Sequence, residues 1–126
     1  MAREIETKCI HLEEEENSIN HYGAISYPIY QSATYAHPGV GQSTGYDYSR
    51  LQNPTREHLE KTVASLENGI DALAFSSGMA AITLMMELFK PGDHLIVDAD
   101  LYGGSIRLFN HVSEKNGIEF SSVCLL

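Results

Sequence analysis

The sequence has no tryptophan, two cysteines, four prolines, and only eight lysines and arginines against 17 aspartates and glutamates. Each shortage excludes something. Cys9 and Cys124 stand far apart and form no CxxC pair. Neither a disulfide scaffold nor a thiolate metal site is encoded, and two free thiols in a reducing, cytoplasmic setting are expected. The six histidines fall in no HExxH or paired Cys/His spacing, so no metal is expected. A net charge of −9 lacks the basic surface that nucleic acid requires. It leaves room for a small phosphate ligand, because one arginine and a helix start act locally. No stretch approaches the roughly 18 apolar residues of a membrane span, so no membrane partner is expected. The opening residues lack the apolar core of a signal peptide. GxGxxG, the Walker A loop and the GxSxG elbow are also missing, which argues against nucleotide motifs and a serine hydrolase.

What is present falls into two parts. Residues 1–52 carry weak periodicity, an acidic run Glu13–Glu16 that reads as a solvated face, and many tyrosines. Such a long arm is expected to lie on another surface, such as a partner subunit. From residue 53 the pattern sharpens. Asn53-Pro54-Thr55 is a helix-start signal, and Leu59, Val63 and Leu66 supply an apolar stripe. Gly69 is the expected stop. Ile70–Phe75 reads as a buried strand, Ser76-Ser77-Gly78 as a turn, and Met79–Phe89 as a helix apolar enough to be buried. Pro91-Gly92-Asp93 breaks that helix. His94–Asp98 reads as a strand, Gly103 to about Lys115 as a helix ended by Gly117, and Ile118–Leu125 as a further strand. Alternating helices and strands imply an α/β fold with parallel strands.

Three phrases carry possible chemistry. Ser77, Gly78 and Met79 sit between an expected strand and an expected helix, where backbone N–H groups and the positive helix end favour a phosphate. An ordinary turn of small residues is the alternative. Tyr48 and Arg50 are spaced i, i+2 and would point the same way in a strand, offering a hydroxyl and a guanidinium fork to one phosphate. A surface arginine in an irregular arm is the alternative. Tyr102 follows the next strand and is followed by two glycines. Its ring would either stack on an aromatic ligand or plug the sheet edge. Arg107, one turn into the next helix, would meet a substrate carboxylate or simply face solvent.

Taken together, these phrases resemble the Cys/Met-metabolism family of pyridoxal phosphate enzymes, the trans-sulfuration group. The likeness runs from Thr7-Lys8-Cys9-Ile10-His11 through Gly23-Ala24-Ile25 and Pro28-Ile29-Tyr30-Gln31-Ser32. It continues through Tyr48-Ser49-Arg50, Asn53-Pro54-Thr55-Arg56, Ser77-Gly78-Met79-Ala80-Ala81, Pro91-Gly92-Asp93 and Tyr102-Gly103-Gly104-Ser105. The resemblance implies the first part of a fold-type-I, three-layer α/β/α domain with pyridoxal 5'-phosphate as cofactor. It implies a homo-oligomer, a dimer of active dimers. It implies that Tyr48 and Arg50 reach the cofactor phosphate of a neighbouring subunit. Ser77, Gly78 and Met79 would hold the phosphate of their own subunit's cofactor. Tyr102 would stack on the ring and assist proton transfer, and Asp47 and Arg107 would lie near the substrate entrance.

The activity so implied is β- or γ-elimination, or γ-replacement, on a sulfur amino acid or homoserine ester. Cystathionine γ-synthase or γ-lyase is the leading expectation; a homoserine-ester sulfhydrylase or methionine γ-lyase is the alternative. Leu51 stands where some synthases carry a second arginine, Gln52 where the family often has glycine, and Gly104 where methionine γ-lyases often place cysteine. The family's later aspartate, partner of the ring nitrogen, and its cofactor-bonding lysine are absent, and Lys8, Lys61, Lys90 and Lys115 match neither context. This 126-residue chain alone is therefore expected to be inactive. A non-catalytic truncated product and an unrelated phosphate-binding module are the remaining alternatives.

Overall fold

The computed structural model describes residues 4–10 and 24–124. The acidic run Glu13–Glu16, with His11, Gly23 and Leu125, lies outside the described residues. The chain divides into two compact units, Met1–Ala74 and Phe75–Leu126.

The first unit is organised by one asparagine. Helix α1 (Ile5–Lys8) packs on helix α2 (Pro54–Leu66). Asn53 caps α2 from extended backbone. Its Oδ1 accepts from Thr55 N–H at 2.9 Å and Arg56 N–H at 3.4 Å, and Pro54 takes the first helical position, where no N–H is needed. Its Nδ2 faces the other way, donating to Tyr30 O at 3.1 Å, Ser49 Oγ at 3.0 Å and Tyr35 Oη at 3.3 Å. Thr55 Oγ1 accepts from Tyr30 N–H at 2.8 Å and donates to Pro28 O at 3.3 Å. The start of α2 thus ties down residues 28–35 and the Ser49 turn. Thr34 and Tyr48 form an antiparallel bridge, flanked by Ser49 N–H to Ala33 O at 2.9 Å and Tyr35 N–H to Asp47 O at 3.2 Å. Ile25 and Ile29 remain exposed, so polar contacts rather than a core hold this segment.

The left-handed residue that closes helix α2 comes one position before the expected stop. Asn68, not Gly69, takes the left-handed conformation, with φ 54°. Gly69 N–H then bonds back to Ala64 O at 2.8 Å. Asparagine tolerates this region, and the returning bond satisfies a terminal carbonyl.

In the second unit, helix α3 (Gly78–Met86) leads to strand β1 (His94–Asp98). Helix α4 (Gly103–Leu108) runs on through a π turn (Phe109–Ser113) and a 3-10 turn (Glu114–Asn116) to strand β2 (Glu119–Val123). The two strands pair in parallel, from His94 with Glu119 to Asp98 with Val123. Gly117 makes the sharp entry to β2. Its φ is +82°, and a Cβ there would stand 3.1 Å from Pro91 Cβ. Phe109 and Ile118 are buried, and the Phe109 and Phe120 rings stack at 4.7 Å.

Two expectations need correction. Ile70–Phe75 forms no strand, because it has no ladder partner among the described residues. Ala72 N–H turns to Asp71 Oδ1 and Ala74 N–H to Glu60 Oε1, at 2.9 and 2.8 Å, so side chains take the bonds that a neighbouring strand would supply. Helix α3 stops at Met86 and tightens into i→i+3 bonds through Phe89. It is not buried either: Met85 is 59% and Leu88 77% exposed. A parallel sheet is normally covered on both faces; two strands offer too little area to cover so apolar a helix.

On α2, Glu57 accepts from the Tyr46 hydroxyl and pairs with Lys61 Nζ at 2.5 Å. Partial burial, then the bond to Glu57, push the Tyr46 phenol well above its ordinary pKa. The Lys61 bond, then the Tyr46 hydroxyl, hold Glu57 below the usual carboxylate range. A carboxylate with a lowered folded pKa stabilises above its unfolded pKa and loses that stabilisation as pH falls through the folded one. Glu57→Gln should therefore lower the melting temperature at pH 7. The gap to the parent should close as the pH is brought below the ordinary carboxylate range. A gap independent of pH in thermal melts would show that the charge contributes nothing.

Candidate active site

The second unit presents an unfilled helix start beside an exposed ring. Ser77 is the N-cap of α3, with φ −159° and ψ 158°, and its Oγ accepts from Ala80 N–H at 3.1 Å. Ala81 N–H bonds Ser77 O. The N–H groups of Gly78 and Met79 have no acceptor among the described residues. The Ser77 hydroxyl, occupied as an acceptor, keeps its own proton to donate. Open space lies outside Gly78, where an added Cβ would meet nothing within 4 Å.

Tyr102 is the residue before α4, and its carbonyl accepts from Ser105 N–H at 2.8 Å and Ile106 N–H at 3.3 Å. Its side chain is mostly open to solvent, with the residue 72% exposed. The ring is seated on Gly104. A Cβ at Gly104 would lie 2.4 Å from Tyr102 Cε1 and 3.0 Å from Met79 Sδ. Gly104 is thus the small residue that lets α3 and the Tyr102 ring meet, and sequence reasoning had given it no role. Its backbone is ordinary; only the close approach demands glycine. The unit so brings Ser77, Gly78, Met79 and Tyr102 into one cluster. Arg107, on α4, is exposed and makes no ion pair among the described residues.

This arrangement fits a phosphorylated aromatic cofactor. Two unpaired amides, a free hydroxyl proton and the positive end of α3 suit a phosphate dianion. An exposed aromatic ring on the same cluster suits a flat heterocycle.

The first unit holds the remaining candidates. Tyr48 and Arg50 do not lie in a strand, so their i, i+2 spacing does not align them as expected. Residues 48–51 form a turn, closed by Leu51 and Gln52 N–H groups that both donate to Tyr48 O at 2.9 Å. The turn itself brings the pair together: the Arg50 guanidinium lies 5.2 Å from the Tyr48 ring centroid, a cation–π contact. Asp47 is already engaged, accepting from Ser43 Oγ at 2.5 Å and pairing with His37 Nε2 at 3.0 Å.

Residues 6–125 match the family of Cys/Met metabolism PLP-dependent enzymes. The chain belongs to this family. It is 50% identical over 120 residues to a cystathionine gamma-synthase/O-acetylhomoserine (thiol)-lyase of Bacillus subtilis, covering 95% of this chain and 32% of the relative. It is 47% identical over 120 residues to a cystathionine beta-lyase of Coxiella burnetii, covering 94% of this chain and 30% of that one. Among solved structures, metB from Corynebacterium glutamicum superposes with a TM-score of 0.88 at 40% identity, over 98% of this chain and 32% of that one. A cystathionine gamma-lyase from Lactobacillus plantarum, complexed with L-serine, gives 0.85 at 42% identity, over 97% and 31%. The chain spans about a third of the length of the relatives it matches. The family is PLP-dependent, so pyridoxal phosphate is its expected cofactor.

Lys61 is engaged by Glu57, and Lys90 and Lys115 are exposed.

Gly104→Ala should push the Tyr102 ring off Met79. Proton NOEs between the Tyr102 ring and the Met79 methyl should disappear, with a stability change under about 1 kcal/mol, because helix propensity gained offsets crowding of an exposed ring. Retained NOEs would show that the ring is not seated on Gly104.

Proposed function

We propose that this chain forms the N-terminal part of a pyridoxal phosphate enzyme of sulfur amino-acid metabolism that catalyses β- or γ-elimination or γ-replacement. The observation that carries the reading is the α3 start, with its two unpaired amides and the Tyr102 ring beside them, in a chain of this family. Cystathionine γ-synthase or γ-lyase activity is the leading assignment, supported by the names of the B. subtilis relatives, one of them a cystathionine gamma-lyase 54% identical over 101 residues. The O-acetylhomoserine (thiol)-lyase in the first relative's name favours a sulfhydrylase as the second reading. The fold would be the three-layer α/β/α kind. The enzyme would be a cytoplasmic homo-oligomer of active dimers, an address that suits the exposed free thiols of Cys9 and Cys124.

The chain's residues would then work as follows. Gly78 and Met79 N–H groups and the Ser77 hydroxyl donate to the cofactor phosphate. Arg50 and the Tyr48 hydroxyl, from the neighbouring subunit, add a guanidinium fork and one more donor. When bound, the cofactor supplies an electron sink for bond cleavage next to the amino acid's α-carbon. Tyr102 orients the ring by stacking, and its phenol oxygen holds or moves a proton at the substrate. Asp47 and Arg107 flank the substrate entrance, with Arg107 offering its free guanidinium to a carboxylate. The chain contributes no lysine to this cluster and is inactive by itself.

Tyr102→Phe, made in a full-length enzyme whose first 126 residues are this chain, separates the two roles of the ring. Cofactor affinity should change little, since stacking survives. The rate of keto-acid release from cystathionine should fall by about 10²–10⁴-fold. A near-normal rate would remove the proton from the role of Tyr102, and a large loss of affinity would mean that the hydroxyl binds rather than shuttles.

A further inference from the structure

Arg56 lies in the first turn of α2, and its guanidinium reaches back to the turn that carries Arg50. Nη1 donates to Ser49 O at 3.3 Å and to Arg50 O at 3.4 Å, and Nη2 donates to Leu51 O at 2.5 Å. Three successive carbonyls therefore converge on one cation. Nε lies 3.5 Å from Glu60 Oε1, one turn along α2. That same oxygen accepts from Ala74 N–H at 2.8 Å, three residues before Ser77. The Arg56 backbone is fixed as well, because its N–H donates to the Asn53 cap.

We propose that Arg56 is a positioning residue: it clamps the 48–51 turn onto α2 and so sets the direction in which Arg50 is presented to the cofactor phosphate. The inference rests on the reading of Arg50 as a phosphate ligand. Its physical basis is the turn's own weakness. Residues 48–51 are closed internally only by the two bonds to Tyr48 O, and Arg50 and Leu51 are exposed, with Leu51 at 66%. Tyr48 and Ser49 are anchored by the Thr34 bridge, Ala33 O and the Asn53 amide, whereas on the far side of the turn the Arg50 and Leu51 carbonyls are held, among the described residues, by Arg56. Without Arg56, three carbonyl oxygens would turn to water, and the Arg50–Leu51 side of the turn would sample conformations that carry Arg50 elsewhere. A short shift is costly for a charge-assisted bond, whose strength depends on the alignment of fork and phosphate. Arg56 does not itself serve as a phosphate ligand, since all three of its guanidinium nitrogens are engaged and Glu60 balances its charge. Lysine cannot replace it. One ammonium on a flexible stem does not reproduce a planar fork that reaches three carbonyls and a carboxylate together.

The test is a double-mutant cycle in the full-length enzyme described above, reading pyridoxal phosphate affinity by titration of the apoenzyme. Amide hydrogen exchange at Leu51 and Gln52 is the second readout. Arg50→Ala should weaken binding by about one to two decades. Arg56→Gln should weaken it about fivefold or more in the parent background and by less than about twofold when Arg50 is already Ala, because coupled residues are not additive. Exchange at Leu51 and Gln52 should quicken in Arg56→Gln. Arg56→Lys should recover little of either, and it serves for the cycle if the glutamine variant fails to fold. Equal losses in both backgrounds would overturn the proposal, since Arg56 would then act without Arg50. Unchanged affinity and exchange in Arg56→Gln would overturn it as well. If Arg50→Ala alone leaves affinity intact, the phosphate reading of Arg50 falls and takes this proposal's function with it, while the exchange data still decide whether the clamp exists.

Discussion

An α-helix begins with amide donors that its own ladder cannot satisfy, and the starts of α2 and α3 are two answers to that constraint. At α2 the answer is complete. Asn53 Oδ1 takes two donors, Pro54 removes one, and the asparagine's Nδ2 ties Tyr30, Tyr35 and Ser49 to the same point. At α3 the answer is left open. Ser77 Oγ takes one donor, and Gly78 and Met79 keep theirs. The closed start organises; the open start is ready for an anion.

The same economy of partners explains the apolar surfaces. β1 and β2 make a parallel pair, the arrangement that is ordinarily covered on both faces. Ile96, Met85 and Leu88 stay exposed instead. The expected strand at 70–75 is irregular, with the Ala72 and Ala74 N–H groups on Asp71 and Glu60. Among the described residues no neighbouring strand pairs with it. In the relatives, two thirds of the polypeptide lies outside the region matched here.

Much of this was legible in the sequence. Asn53-Pro54-Thr55 announced α2, Gly117 announced the entry to β2, and the His94–Asp98 run announced β1, because caps, left-handed turns and branched apolar runs are local signals. The misses were of another kind. Gly69 was the obvious stop by residue type, yet Asn68 takes the left-handed position, since a returning N–H from the next residue decides the turn. The strand at 70–75 and the burial of α3 depended on partners that local pattern cannot count. Tyr48 and Arg50 were found by residue type and given a strand geometry they do not have; a cation–π contact across a turn aligns them instead. Gly104 and Arg56 were visible as letters of a motif, but their work lies in tertiary contacts. No periodicity reveals that a Cβ would strike a tyrosine, or that three carbonyls share one guanidinium.

The central claim is that the open start of α3 is where the cofactor phosphate sits. The most direct measurement is a crystal structure of the full-length enzyme with pyridoxal phosphate bound. The account predicts phosphate oxygens within about 2.7–3.2 Å of the Gly78 and Met79 amide nitrogens. The Ser77 hydroxyl should donate to the same group, and Arg50 of the neighbouring subunit should close it from the other side. A phosphate bound elsewhere, with the Gly78 and Met79 amides facing water, would contradict it.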